Sequence, residues 1–233
     1  MSEAAAWAAA GAPHGALVTA THQTAGRGRH GRAWLDAPGQ SLMLSLVLRP
    51  DLPSDRLGLV GLAAGWALVQ SLQAVGVEAG LKWPNDVVVG TRKLAGVLAE
   101  TRWDGAAPVV ILGLGLNVRQ RSFPPAVADR ATSVALETGL DPAPGTLLAP
   151  LLEALADALD RAGRPAFVRD VEAALVGRGA PVTVAFPGTD RAALVGTATG
   201  LAADGALRVA TASGVETVHA GEVTLGATPA EAS

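Results

Sequence analysis

Four short stretches hold most of the residues that could do chemistry. In Thr24-Ala25-Gly26-Arg27-Gly28-Arg29-His30-Gly31-Arg32-Ala33-Trp34, three glycines alternate with three arginines and the run ends on an indole. Guanidinium groups match phosphate and carboxylate oxygens as a fixed fork of donors. Glycine lets the backbone approach a ligand closely. Together they suit a loop that wraps an anion; the competing reading is a solvated basic turn. Lys82-Trp83-Pro84-Asn85-Asp86 sets a lysine, an amide and a carboxylate around a stiff turn, although asparagine and aspartate also serve turns through local hydrogen bonds alone. Arg92-Lys93-Leu94-Ala95-Gly96 opens an apolar strand with Lys93. A lysine there can set a compact charge on a reacting phosphate, or merely protect a strand edge from aggregation. Gly113-Leu114-Gly115-Leu116-Asn117 closes a strand on an amide that could bind phosphate, ribose or metal-bound water, while its glycines could serve packing only.

The elements around these stretches narrow the choices. Ala16–Thr21 reads as a strand running into the arginine loop, and Ser41–Leu48 as a second strand after it. Gly26 to Gly31 satisfies G-x-G-x-x-G, but the dinucleotide fingerprint needs a helix next, and Trp34, Pro38 and Gly39 deny one. An arginine-glycine RNA-binding tract would repeat, and this one does not. A helix is expected at 2–10 with Ser2 as cap, and another from Ser54, also as cap, to about Ala74, burying Trp66. Strands are expected at 93–100 and 109–118, with a helical turn to Thr138 capped by Thr132 or Ser133. Helices should fill 145–162 and 165–176. From Gly177 the pattern is short strands at 181–186, 193–201, 206–212 and 215–225, with turns at Asp204-Gly205 and Ser213-Gly214 and a frayed tail at 228–233.

Composition sets outer bounds. The chain has 233 residues, 49% of them hydrophobic, enough for a substantial core. A net charge of -3 argues against a general nucleic-acid binder. The absence of cysteine excludes disulfides, thiolate metal sites and cysteine nucleophiles. The four histidines lack metal-ligand spacing, so no protein-held metal is expected. The N-terminus lacks a basic signal region, and the apolar run 57–69 is short for a membrane span; a cytoplasmic, soluble protein is expected.

Taken in order, the four stretches resemble the signatures of the biotin protein ligases, and the β-rich end is similar to that family's C-terminal domain. The resemblance covers nearly the whole chain. It implies an α+β fold: a mixed sheet flanked by helices, like a class II synthetase, over residues 1–176, then a small SH3-like β-barrel over 177–227. It implies ATP-dependent conversion of biotin to biotinyl-5′-adenylate, with Mg²⁺ carried in as MgATP, and transfer to a lysine of a biotin carboxyl carrier domain. Gln23, Gly26, Arg27, Gly28 and Arg29 should line biotin and the intermediate's phosphate, and Lys93 should sit between the biotin carboxylate and the α-phosphate. Gly96 and Gly115 should floor the biotin pocket, and Trp34 should pack on adenine. Arg32, Asn85 and Asn117 should touch nucleotide phosphates, directly or through magnesium. Asp86 should orient the incoming lysine or Lys93. The family has a strand before the first helix that ends in a Ser-Thr-Asn-like segment against the biotin ureido ring. Here Ser2 alone stands in its place, so the start is read as set too late and biotin affinity as weakened. With no helix-turn-helix segment ahead, neither DNA nor a membrane is an expected partner, while the resemblance allows a homodimer through an edge strand. Two rivals remain: a lipoate or octanoate ligase or transferase of the same fold, whose arginine-glycine motif ending in an aromatic, histidine and aspartate is not found here, and a non-catalytic anion- or RNA-binding module.

Overall fold

The computed structural model describes residues 1–105 and 107–226; the tail expected at 228–233 lies outside the described residues. Helix α1 (Ser2–Ala9) precedes strands β1 (Leu17–Ala20) and β2 (Ser41–Leu48), which the arginine loop joins. Helix α2 (Gly58–Gln73) leads to β3 (Gly80–Lys82), β4 (Asp86–Val89), β5 (Arg92–Asp104) and β6 (Ala107–Asn117). Helices α3 (Val134–Thr138), α4 (Leu148–Arg161) and α5 (Pro165–Ala173) follow. Strands β7 (Pro181–Ala185), β8 (Leu194–Leu201), β9 (Leu207–Thr211), β10 (Gly214–Val218) and β11 (Glu222–Leu225) finish the chain. The first sheet runs β1-β2-β6-β5-β4-β3 and the second β10-β9-β8-β7-β11.

The fold is α+β, but the first sheet is antiparallel through all its strand pairings and not mixed. Short turns connect β3 through β6, and tight turns join antiparallel neighbours only. Among the described residues, parallel contact is limited to single bridges, Leu81 with Leu175 and Lys93 with Ala131.

Both faces of this sheet are covered, which is why every residue of β2 is buried. Leu42, Leu44, Leu46, Leu112, Leu114 and Leu116 face one core with α2 and α4. Gly65 lets α2 settle on β3, where a Cβ would come within 2.4 Å of Leu81 Cδ1. On the other face, Val47, Val109 and Ile111 take the small residues Ala4, Ala5 and Ala8 of α1. In β6 the two-residue period puts Leu112, Leu114 and Leu116 on the helix side and Gly113 and Gly115 on the α1 side. One strand thus makes a core wall and a bare floor.

Local chemistry shifts several element ends. Met1, not Ser2, holds the cap position of α1, without a side-chain cap. Ser54 opens a single 3-10 turn, and α2 starts after Leu57. Ser133 does cap α3, accepting from Leu136 N at 3.1 Å. Helix α5 stops at Ala173 because the next residues extend along β3: Leu81 N donates to Ala174 O at 2.8 Å and Val176 N to Leu81 O at 2.9 Å. The strand expected at 215–225 is two strands, β10 on β9 and β11 on β7, broken at His219–Gly221.

The second sheet shares its core with the first. Trp83 is buried between them and donates Nε1 to Gly205 O at 3.1 Å, while Glu172 Oε1 accepts from Leu201 N at 2.6 Å. The turn carrying Lys82 to Asp86 is therefore held from the C-terminal side. Trp66 lies in the helix layer, edge-to-face with Phe167. Among the described residues no helix is long and apolar enough to cross a membrane.

Candidate active site

The bare glycine floor opens into a cleft of about 950 Å³ on the α1 face of the first sheet. Gly96 and Gly115 pair directly across β5 and β6 and form its base. The indole of Trp34 lies on both: a Cβ on Gly115 would approach Trp34 Cε2 and Cζ2 to 2.7 Å, and one on Gly96 would approach Cζ3 to 3.2 Å. Trp34 Nε1 is buried with no hydrogen-bond partner among the described residues. The resemblance implies that Trp34 packs on adenine once the loop closes; here its indole rests on the glycine floor.

The arginine loop folds on itself as a narrow hairpin. Gly28 N donates to Arg32 O at 2.7 Å, and Trp34 N donates to Gly26 O at 3.0 Å. A side chain at position 26 would strike Trp34 O at 2.5 Å and Gln23 Oε1 at 2.9 Å, so Gly26 is required for the hairpin to close. His30 at the tip adopts the left-handed region at φ 53°, uncommon for a residue with a Cβ. Gln23 lines the cleft at the loop's entry.

Every cation expected to meet substrate has an acceptor in the protein. Lys93 Nζ is 2.6 Å from Asp86 Oδ1 and 5.7 Å from the Trp34 ring centroid. Arg27 pairs with Glu100 at 3.4 Å, and Arg32 with Glu222 at 2.5 Å. Arg29 Nη1 donates to Asn85 Oδ1 at 3.2 Å and to Gly221 O at 3.3 Å. Burial lowers the Arg29 pKa below the usual arginine value. Desolvation is what makes a guanidinium seek further acceptors. Asn85 is itself fixed, donating Nδ2 to Val97 O at 2.8 Å.

The structure thus brings Gln23, Gly26, Arg27, Gly28, Arg29, Arg32, Trp34, Asn85, Asp86, Lys93, Gly96 and Gly115 around one cleft. Asn117 is the exception. It is buried, donates Nδ2 to Thr132 O at 3.0 Å, and accepts from Gln120 Nε2 at 3.3 Å. Thr132 N in turn donates to Lys93 O at 2.9 Å, so Asn117 fastens the segment behind Lys93 and does not line the cleft. Glu100 and Glu222, the acidic partners of the loop, were not singled out by sequence. A lone glutamate in a strand carries no signal of what it faces. Among the described residues no group of three or more His, Cys, Asp or Glu side chains could hold a metal ion.

Comparisons with known proteins bear directly on this geometry. The profile of the "Biotin/lipoate A/B protein ligase family" matches residues 4–117, and that of the "Biotin protein ligase C terminal domain" matches 179–226. The bifunctional ligase/repressor BirA of Bacillus spizizenii is 41% identical over 132 residues, which cover 55% of this chain and 41% of the relative. The biotin–[acetyl-CoA-carboxylase] ligase of Mycobacterium tuberculosis is 46% identical over 125 residues, 52% of this chain and 45% of the relative. The chain thus matches less than half the length of these two relatives. The solved biotin protein ligase of Aquifex aeolicus, in complex with biotin and ATP, superposes with a TM-score of 0.79 at 30% identity, over 91% of this chain and 89% of that one. With that identity held over most of the solved relative's length, and both family profiles matched in order along the sequence, the chain belongs to the biotin protein ligase family.

Proposed function

We propose that this chain activates biotin with ATP and transfers it to a single lysine of a biotin carboxyl carrier domain in the cytoplasm. The observation that carries the reading is the Lys93–Asp86 pair, 2.6 Å apart, at the join of the glycine floor and the arginine loop. In the first step a biotin carboxylate oxygen attacks the α-phosphorus of MgATP. The bond to the β-phosphate oxygen breaks and pyrophosphate leaves. Two anions must meet, and charge gathers on the α-phosphate oxygens. Preorganised cations in a partly water-excluded cleft stabilise that charge far better than water does. Lys93 supplies a compact charge that Asp86 keeps aimed, and Arg29, Arg27 and Arg32 supply the forks. In the second step the acceptor lysine's neutral amine attacks the acyl carbon, an amide forms, and AMP departs. Asp86 stands beside Lys93, where it can align that amine. The magnesium travels with the nucleotide as part of the substrate.

The floor itself carries no side chain, and a ligand laid on it takes the place that the Trp34 indole occupies, so the ring must swing aside as biotin enters. Gly115→Ala is expected to raise KM for biotin about tenfold or more, because its methyl group overfills the floor, with KM for ATP changed much less. The two constants, measured side by side in the adenylation assay, check this. Equal rises in both would place the glycine away from biotin.

Incubation with biotin, MgATP and an isolated carrier domain, read by intact mass, tests the transfer. One biotinyl group should be added, and none to a carrier whose acceptor lysine is replaced by arginine. Labelling of both carriers alike would overturn a site-specific ligase.

A further inference from the structure

The loop's cations are neutralised by carboxylates of the protein, and one of these comes from the C-terminal sheet. Glu222 opens β11 and faces the cleft across the sheet boundary. Its Oε2 is 2.5 Å from Arg32 Nη2, and its Oε1 is 3.9 Å from His30 Nε2. The preceding residue, Gly221, accepts from Arg29 Nη1 through its carbonyl at 3.3 Å. One dipeptide therefore holds three residues of the loop tip, Arg29, His30 and Arg32.

That dipeptide is itself fixed. Glu222 pairs with Ala185 across β11 and β7. Gly221 has φ +158°, and a Cβ there would meet Val184 Cγ1 at 2.6 Å. The anchor is rigid, whereas the loop it grips is rich in glycine and carries its tip histidine at positive φ.

Resting on the ligase reading above, we propose that Glu222 is a latch that competes with the nucleotide: its carboxylate stands where a phosphate must go. A carboxylate and a phosphate offer a guanidinium the same paired acceptors. Arg32 cannot give both its donors and its charge fully to Glu222 and to ATP. Binding of MgATP must therefore displace Glu222 from Arg32 and release the loop from the C-terminal sheet to close over the nucleotide. Glu222 keeps the loop ordered before that exchange. It also lowers apparent affinity for ATP by the strength of the pair, since a ligand must offset any contact it replaces.

The Arg32 end of the pair is well exposed, so the effect is modest. Exposed pairs of this kind contribute up to about 1 kcal/mol, which is at most about fivefold in a binding constant. Glu222→Gln keeps the size and a weaker hydrogen bond while removing the charge. Its KM for ATP in the adenylation reaction should fall about threefold to fivefold, with KM for biotin unchanged. Limited trypsin digestion without nucleotide gives a second readout, because Arg27, Arg29 and Arg32 are themselves cleavage sites. The loop of Glu222→Gln should be cut faster than that of the wild type, and Glu222→Asp should fall between them. Matching thermal melts of the three proteins separate release of the loop from loss of fold.

A KM for ATP in Glu222→Gln that is unchanged or raised overturns the latch, as does unchanged trypsin cleavage of the loop. The digestion needs no substrate, so it remains decisive if the chain proves to activate another acid. In that case the ligase reading fails while the latch is still judged by the cleavage rates.

Discussion

Lys93→Gln is expected to cut the rate of adenylate formation by about 10²–10³, the usual loss when one preorganised charge-stabilising donor is removed. The fold should survive. Lys93 and Asp86 are both partly open to solvent, so their pair adds little to stability once screening is counted. The backbone of Lys93 keeps its bond from Thr132 N, so the strand stays in register without the ammonium. The loss should appear in kcat far more than in KM for biotin, because charge on the α-phosphate oxygens peaks in the transition state. Asp86→Asn should do less, since it frees Lys93 to wander without removing its charge. Single-turnover formation of biotinyl-adenylate, followed by quench and chromatography, measures both. A Lys93→Gln enzyme within a few-fold of wild type would remove Lys93 from the reacting centre.

Arg29→Gly should make the enzyme leak. Arg29 is the most buried cation of the loop's hairpin and bridges Asn85 to the C-terminal sheet through Gly221 O. Once the loop leaves the C-terminal sheet, that guanidinium is free to bond the adenylate's phosphate, and without it the closed loop loses this hold. Hydrogen bonds to charged groups contribute about 1.5–3 kcal/mol each, so adenylate release should accelerate by about 10–10². The mixed anhydride then escapes and acylates bystander amines, because exclusion of water and solute from the cleft is a property of the closed loop. Release rates of preformed biotinyl-adenylate, measured by dilution into a trap, decide the matter. A rate equal to wild type would show that closure does not depend on this fork.

How much of this was legible in the sequence differs from residue to residue. The arginine loop, Lys82 to Asp86, Lys93 to Gly96 and Gly113 to Asn117 each announce themselves by residue types that are costly without a use. The fold brings them to one face because β5 and β6 pair Gly96 with Gly115. Ser133 and the strand at 41–48 were readable from local rules alone. What local rules do not carry is non-local. Asn117 looks like a phosphate ligand at a strand end, yet its amide is consumed by Thr132, fifteen positions on. Trp34 finds its bed on glycines far along the chain, which no period encodes. The break at His219–Gly221 falls on Ala220 and Gly221, poor strand formers within an otherwise strand-like run, and the change of partner from β9 to β7 turns that weak point into a break. Glu222 follows from that break: the turn re-aims the chain so that a surface glutamate meets Arg32.

Biotin is the acid that this cleft is proposed to activate. Exchange of labelled pyrophosphate into ATP, with biotin, lipoate, octanoate or no acid present, tests that without any acceptor protein. Exchange with biotin alone is the expected result, lost in Lys93→Gln. No exchange with biotin, but exchange with lipoate or octanoate, would contradict it.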